Sequence, residues 1–106
     1  MKMMTVAALI AFAGGCAVAL AAERSIMQKG RVFSESAVSI KKGDSLTFVN
    51  DDNIAHNILS TTAGNEFNLG SQAPGTSTPV NFKTAGEVTV LCAIHPRMKL
   101  VVNVAD

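Results

Sequence analysis

The chain has 106 residues, with nine Lys+Arg, eight Asp+Glu and a formal charge of +1. That length points to one small domain. The near balance of charge argues against a nucleic-acid partner, which calls for a basic footprint.

Met1-Lys2 is a short basic start, and residues 5–22 carry no charge and are rich in Ala, Leu, Ile, Val and Phe. With Ala19-Leu20-Ala21 in an A-x-A pattern, residues 1–21 read as a secretory signal peptide. Cleavage after Ala21 makes Ala22 the first residue of a mature domain spanning residues 22–106. Two alternatives stand beside this reading. An uncharged stretch of about 18 residues is near the minimum for a retained membrane anchor. Gly14-Gly15-Cys16 offers lipoprotein processing, against which stand Ala13 three residues before the cysteine and apolar sequence beyond it. Export places the mature chain in the periplasm, with no span of its own. It also removes Lys2 and Cys16, so basic and acidic side chains balance and Cys92 is the one cysteine left. A lone thiol in an exported protein is reactive, buried and inert, or a metal ligand.

The mature part has no helical periodicity of useful length. It reads as short strands broken by Gly, Pro, Asn and Asp. Met27 is expected only to pack a terminal strand, and Val32-Phe33 starts an early one. Ala37 to Ile40 alternates, and Lys41-Lys42-Gly43-Asp44 turns the chain. Ser45 to Asn50 places Leu46 and Phe48 on one face, as a half-buried strand does. Asn50-Asp51-Asp52-Asn53 is a polar loop, and its two adjacent aspartates read as a solvated turn rather than a calcium site, which needs six or more ligands. Ala55 to Ser60 is a predicted strand with His56 and Ile58 on one face. Residues 61–77 are the least regular. Pro79 to Phe82 resumes a strand, which Thr84-Ala85-Gly86 turns. Glu87 to Cys92 is the clearest strand, with Val88, Val90 and Cys92 on one face and Thr89 and Leu91 on the other. Pro96 stops pairing, and Leu100 to Val104 closes the domain. Seven or eight short strands at this spacing predict a single all-β domain, a sandwich or barrel.

The chemistry concentrates in Leu91-Cys92-Ala93-Ile94-His95-Pro96-Arg97-Met98, taken with His56. The chain has two histidines, and both belong to this set. Taken singly, each residue has an ordinary reading. Cys92 is a small buried hydrophobe, His56 a satisfied core histidine, and Met98 core filler. Together, one thiolate, two imidazoles and one thioether are the donors of a trigonal His₂Cys copper centre with a weak axial Met. Zinc can use the same donors. Cys92 ends a strand, His95 and Met98 follow at intervals of three in a loop, and His56 comes from a separate strand. Bringing His56 in is expected to require the packing of two sheets.

The arrangement resembles the cupredoxins, the small blue-copper proteins. The resemblance runs from about Val32 to Val104 through Lys42-Gly43-Asp44, Phe48-Val49-Asn50, His56-Asn57, Ala85-Gly86 and Cys92 to Met98. The C-x-x-H-x-x-M spacing resembles the amicyanin branch; plastocyanin and pseudoazurin carry a longer gap before the Met. The resemblance implies a Greek-key β-sandwich binding one copper ion that cycles between Cu(I) and Cu(II). His56, Cys92 and His95 would be its equatorial ligands and Met98 its axial one. It also implies that Asn57 ties the two ligand segments together and that His95, in an apolar patch, is the electron port. Three residues depart from the family pattern. Leu91 stands where an aromatic is common. Ala93 stands where a Ser or Thr receives the Asn hydrogen bond, so Asn57 either uses backbone partners or is less constrained. Arg97 puts a positive charge in the ligand loop, beside the expected docking face.

The implied function is a non-enzymatic periplasmic carrier of single electrons. Its expected partner is a redox protein such as a c-type cytochrome or a periplasmic dehydrogenase, and it is expected to be a monomer. The alternative is a periplasmic copper-binding or delivery protein using the same ligands without electron shuttling. An enzyme is not expected, because both histidines are assigned to metal and four protein donors leave no position open to substrate.

Overall fold

The computed structural model describes residues 21–106. The signal-peptide, anchor and Cys16 readings fall almost wholly on residues 1–20, outside the described residues. The described chain forms nine strands, in order β1 (Glu23–Lys29), β2 (Val32–Phe33), β3 (Ala37–Lys41), β4 (Ser45–Asn50), β5 (Ile58–Ser60), β6 (Phe67–Asn68), β7 (Ser77–Asn81), β8 (Gly86–Cys92) and β9 (Lys99–Ala105). Among the described residues no helix is long and apolar enough to cross a membrane.

The strands make two sheets, ordered β2-β1-β4-β7 and β3-β9-β8-β5-β6. The pairs β1/β4 and β3/β9 are parallel, and the remaining pairs are antiparallel. The expected all-β sandwich is the fold. Its alternation comes from the period of two in a pleated strand. In β4, Leu46, Phe48 and Asn50 point inward; in β8, Val88, Val90 and Cys92 do; in β9, Leu100, Val102 and Val104 do. The aromatic residues link these faces. Phe33 meets Phe48 edge-on at 6.3 Å, Phe48 lies 6.0 Å from Phe67, and Phe67 meets Phe82 edge-on at 6.0 Å. Phe48 is fully buried, so its truncation to Ala costs about 3–5 kcal/mol. Pro79 lies in β7, an edge strand, where its missing N–H leaves no ladder bond unmade.

The structure adds two features to the expected elements and corrects two expectations. β1 is a full strand, although Glu23–Lys29 shows little alternation: its inward residues are Ile26 and a buried Gln28. A buried amide hides the apolar period. The β1–β2 connection is a tight hairpin whose central residues, Gly30 and Arg31, have φ of 64° and 61°, the geometry favoured in two-residue hairpins. The predicted strand over Ala55 to Ser60 is only Ile58–Ser60, and His56 instead makes an isolated bridge to Gln72. Finally, β5 and β8 are neighbours in one sheet, with Ile58 opposite Cys92. His56, two residues before Ile58, therefore approaches Cys92 from the side of a neighbouring strand of the same sheet.

Candidate metal centre

Cys92 closes β8 on its inward face and is 2% exposed. The chain then leaves the sheet, and the Met98 N–H returns to the His95 carbonyl at 3.0 Å. This bond closes a tight turn over residues 95–98, the second half of the loop. His56 enters from the 51–57 segment, where its N–H donates to the Gln72 carbonyl at 3.1 Å and its carbonyl accepts the Gln72 N–H at 2.7 Å. Cys92 Sγ lies 3.7 Å from His56 Nδ1 and 3.7 Å from His95 Nδ1. One donor atom from each of the three residues lies within 4.8 Å of the others. His56 is fully buried, Met98 is 1% exposed, and His95 is half-buried. Met98 shares the core cluster with Cys92.

These separations fit a metal. Donors about 2.0–2.3 Å from one ion and about 120° apart lie about 3.7 Å from each other. The donor set, thiolate and imidazoles with a thioether in the same loop, is soft enough for copper.

The surrounding polar groups fix the donors. The Asn57 N–H donates to Cys92 Sγ at 3.3 Å, and the Asn57 carbonyl accepts the Ala93 N–H at 2.9 Å. Asn57 thus ties the two ligand segments through its backbone, the first of the two alternatives that Ala93 left open. Its side chain is directed elsewhere, to Asn68 Oδ1 at 2.8 Å. His56 Nε2 faces Asp52 Oδ2 at 3.0 Å. A carboxylate only accepts, so Nε2 carries the proton and Nδ1 keeps its lone pair toward Cys92. The same Asp52 oxygen accepts the Arg31 N–H at 3.1 Å. That backbone donor, followed by His56, pushes the Asp52 carboxyl down to about 2. Asp52 is therefore not the freely solvated turn residue expected: it orients His56 and pins the β1–β2 hairpin. Asn50 supports the loop in turn. Its Oδ1 accepts the Asp52 N–H at 2.9 Å, and its Nδ2 donates to the carbonyls of Ile54 at 2.9 Å and Gln72 at 2.8 Å. Sequence reasoning missed Asp52, Asn50 and Gln72. The available signal was the Asn-x-Asp sequence, which favours a turn closed by the Asn side chain.

Outside the donors lies a mainly apolar groove of about 360 Å³, lined by Arg31, Val32, Ile94, His95, Pro96 and Arg97. Val32 and Ile94 are the exposed large hydrophobic residues of the described chain, at 58% and 51%. The half-buried His95 opens onto this groove, which both arginines also line.

The fold and donor set define a small β-sandwich protein with a cluster of two imidazoles and a thiol that could hold one metal ion. The chain belongs to the plastocyanin/azurin family of copper-binding proteins, whose profile matches residues 19–105. Copper is the metal this family carries. The methylamine utilization protein MauL of Methylorubrum extorquens is 30% identical over 106 residues, covering 99% of this chain and 93% of that protein. A purple cupredoxin from Nitrosopumilus maritimus superposes with a TM-score of 0.68 at 25% identity, over 76% of this chain and 98% of its own. A reduced amicyanin point mutant gives 0.68 at 22% identity, over 76% of this chain and 79% of its own, a likeness of fold.

Proposed function

We propose that His56, Cys92, His95 and Met98 hold one copper ion, and that the mature chain, residues 22–106, carries single electrons between redox proteins in the periplasm. The observation that carries this reading is the pair of 3.7 Å separations from Cys92 Sγ to the two imidazole nitrogens, in a buried setting. When bound, copper supplies a one-electron couple between Cu(I) and Cu(II).

The chain's own residues do the rest. Asp52 holds the His56 proton on Nε2, and the Asn57 N–H holds the thiolate. Backbone ties on both sides of the centre resist rearrangement when charge changes. His95 is the path to the surface, and the groove around it is a docking face for a partner's apolar patch. Long-range steering is weak because the net charge is small; Arg31 and Arg97 act once the partner is close. A c-type cytochrome or a periplasmic dehydrogenase fits this description. Burial of His56, Cys92 and Met98 supports a carrier over a delivery protein, since among the described residues His95 is the one proposed donor with appreciable exposure. The reading is of a monomeric carrier and not an enzyme.

Voltammetry of the copper-loaded protein, with competition by a copper chelator, tests this. The expected result is a reversible one-electron wave and slow loss of copper. Rapid surrender of copper with no reversible wave moves the assignment to copper delivery.

A further inference from the structure

The polypeptide enters the fold at Ala22. The Ala22 carbonyl accepts the Ser45 N–H at 3.0 Å, and its N–H donates to Asp44 Oδ1 at 2.9 Å. Glu23 then opens β1 in register with Ser45. Ala21 and Ala22 are both exposed.

Asp44 is held rigidly. Its Oδ2 accepts the Lys41 N–H at 2.9 Å, and its own N–H donates to the Lys41 carbonyl at 2.9 Å. The Gly43 N–H anchors the turn to the Phe82 carbonyl at 2.8 Å. Capping this turn accounts for Oδ2. It does not account for Oδ1, which among the described residues bonds to the Ala22 nitrogen alone.

That nitrogen is the atom released when the leader is removed after Ala21. Hydrolysis of the Ala21–Ala22 peptide bond consumes one water. The C–N bond breaks, the leader leaves with a carboxylate on Ala21, and the Ala22 nitrogen becomes an ammonium. One amide donor is replaced by three donors and a full positive charge, opposite a carboxylate already in place. An amide–carboxylate hydrogen bond thereby becomes a charge-assisted ion pair, the stronger kind.

We propose that Asp44 is the receptor for the processed N-terminus: the α-ammonium of Ala22 pairs with Asp44 Oδ1 and fastens β1 to β4. This rests on the export reading above. The Asp44 carboxyl is held below its ordinary range by the Lys41 and then the Ala22 backbone donors, so it is anionic at neutral pH. The other charges nearby have partners or reinforce the pair. Glu23 accepts the Thr47 hydroxyl at 2.6 Å, Lys42 pairs with Asp106 at 2.9 Å, and the Lys41 charge also favours ionised Asp44. β1 runs on to the hairpin whose Arg31 N–H holds Asp52, so one strand leads from the processed end to the support of His56.

The test is to express the full chain with its leader in an exporting host and determine the N-terminus by intact mass and sequencing. The α-amino group is then titrated by its rate of acylation against pH. Wild type is compared with Asp44→Asn and with a form carrying one extra residue before Ala22. The expected start is Ala22, with an α-amino group titrating about one unit above the ordinary ~7.7–8.0, so that acylation near pH 7 is about tenfold slower than for the extended form. Asp44→Asn is expected to restore the ordinary rate. If Asp44→Asn does not fold, wild type against the extended form still decides. A start at another residue overturns the proposal and leaves export standing. An unprocessed chain overturns both. A start at Ala22 with an ordinary acylation rate overturns the capture alone.

Discussion

Met98 carries two roles in this account, and substitution can separate them. Its side chain is 1% exposed and belongs to the core cluster, and the proposed site also uses its thioether. Met98→Ala removes both packing and sulfur; Met98→Leu keeps the volume and removes the sulfur. Because burial is nearly complete, the alanine change costs about 2–5 kcal/mol in the metal-free protein. The leucine change costs less than about 1.5 kcal/mol. In a domain of about 85 residues each kcal/mol moves Tm by about 4–8 °C. A mid-range cost of about 3 kcal/mol therefore lowers Tm by about 12–24 °C for alanine, and leucine lowers it by no more than half as much. The reduction potential is expected to behave differently. Both variants lose the donor that tunes the couple, so both shift upward together, since a poorer donor set stabilises Cu(II) less. Thermal melts of the metal-free forms and voltammetry of the loaded forms read the two effects. A leucine variant with wild-type potential and spectrum would show that Met98 is packing alone. An alanine variant with an unchanged Tm would refute the burial argument.

Asp52→Asn is expected to raise the potential while copper still binds, because the carboxylate that favours the higher charge on the His56 side is gone; an unchanged potential would remove Asp52 from the site. Arg97→Glu is expected to change the on-rate and salt dependence of electron exchange with a c-type cytochrome more than it changes copper affinity, and matching kinetics across a salt series would reject that. Acid stability follows from the lowered carboxyls of Asp52, at about 2, and Asp44. A group lowered in the folded state binds fewer protons there than in the unfolded chain, so its contribution is whole above the ordinary carboxylate range and fades as pH falls through the folded value. The wild type is therefore expected to lose stability from about pH 4 toward pH 2. The double variant Asp44→Asn, Asp52→Asn should have a flatter profile, and parallel profiles would contradict this.

The parts legible in the sequence were those where side-chain chemistry and strand period agree. β4 and β8 alternate cleanly, and the Cys92, His95 and Met98 spacing sits where β8 ends. β1 was hidden because Gln28 occupies an inward position, where its Nε2 donates to Gln72 Oε1 at 3.0 Å, a partner 44 residues away that only the fold supplies. The short extent of β5 was hidden because His56 keeps strand-like exposure while pairing with Gln72, outside any ladder. Asp52 looked like turn polarity because the two partners of its Oδ2, the Arg31 N–H and His56 Nε2, come from a hairpin 21 residues earlier and a side chain four residues later. Local pattern carries no information about an acceptor shared in that way. The tie through Asn57 was half legible: Ala93 offers no hydroxyl, which left either backbone partners or a looser Asn57, and the backbone bonds decide for the first.

The most direct test of the central claim is the copper(II) spectrum of the mature chain. One equivalent of copper(II) is added to the protein beginning at Ala22, and visible absorption and electron paramagnetic resonance are recorded beside Cys92→Ser. The account predicts an intense visible thiolate-to-copper band and small copper hyperfine splitting, both lost in Cys92→Ser. A pale adduct that survives Cys92→Ser would contradict it, placing the metal on donors other than the buried thiolate.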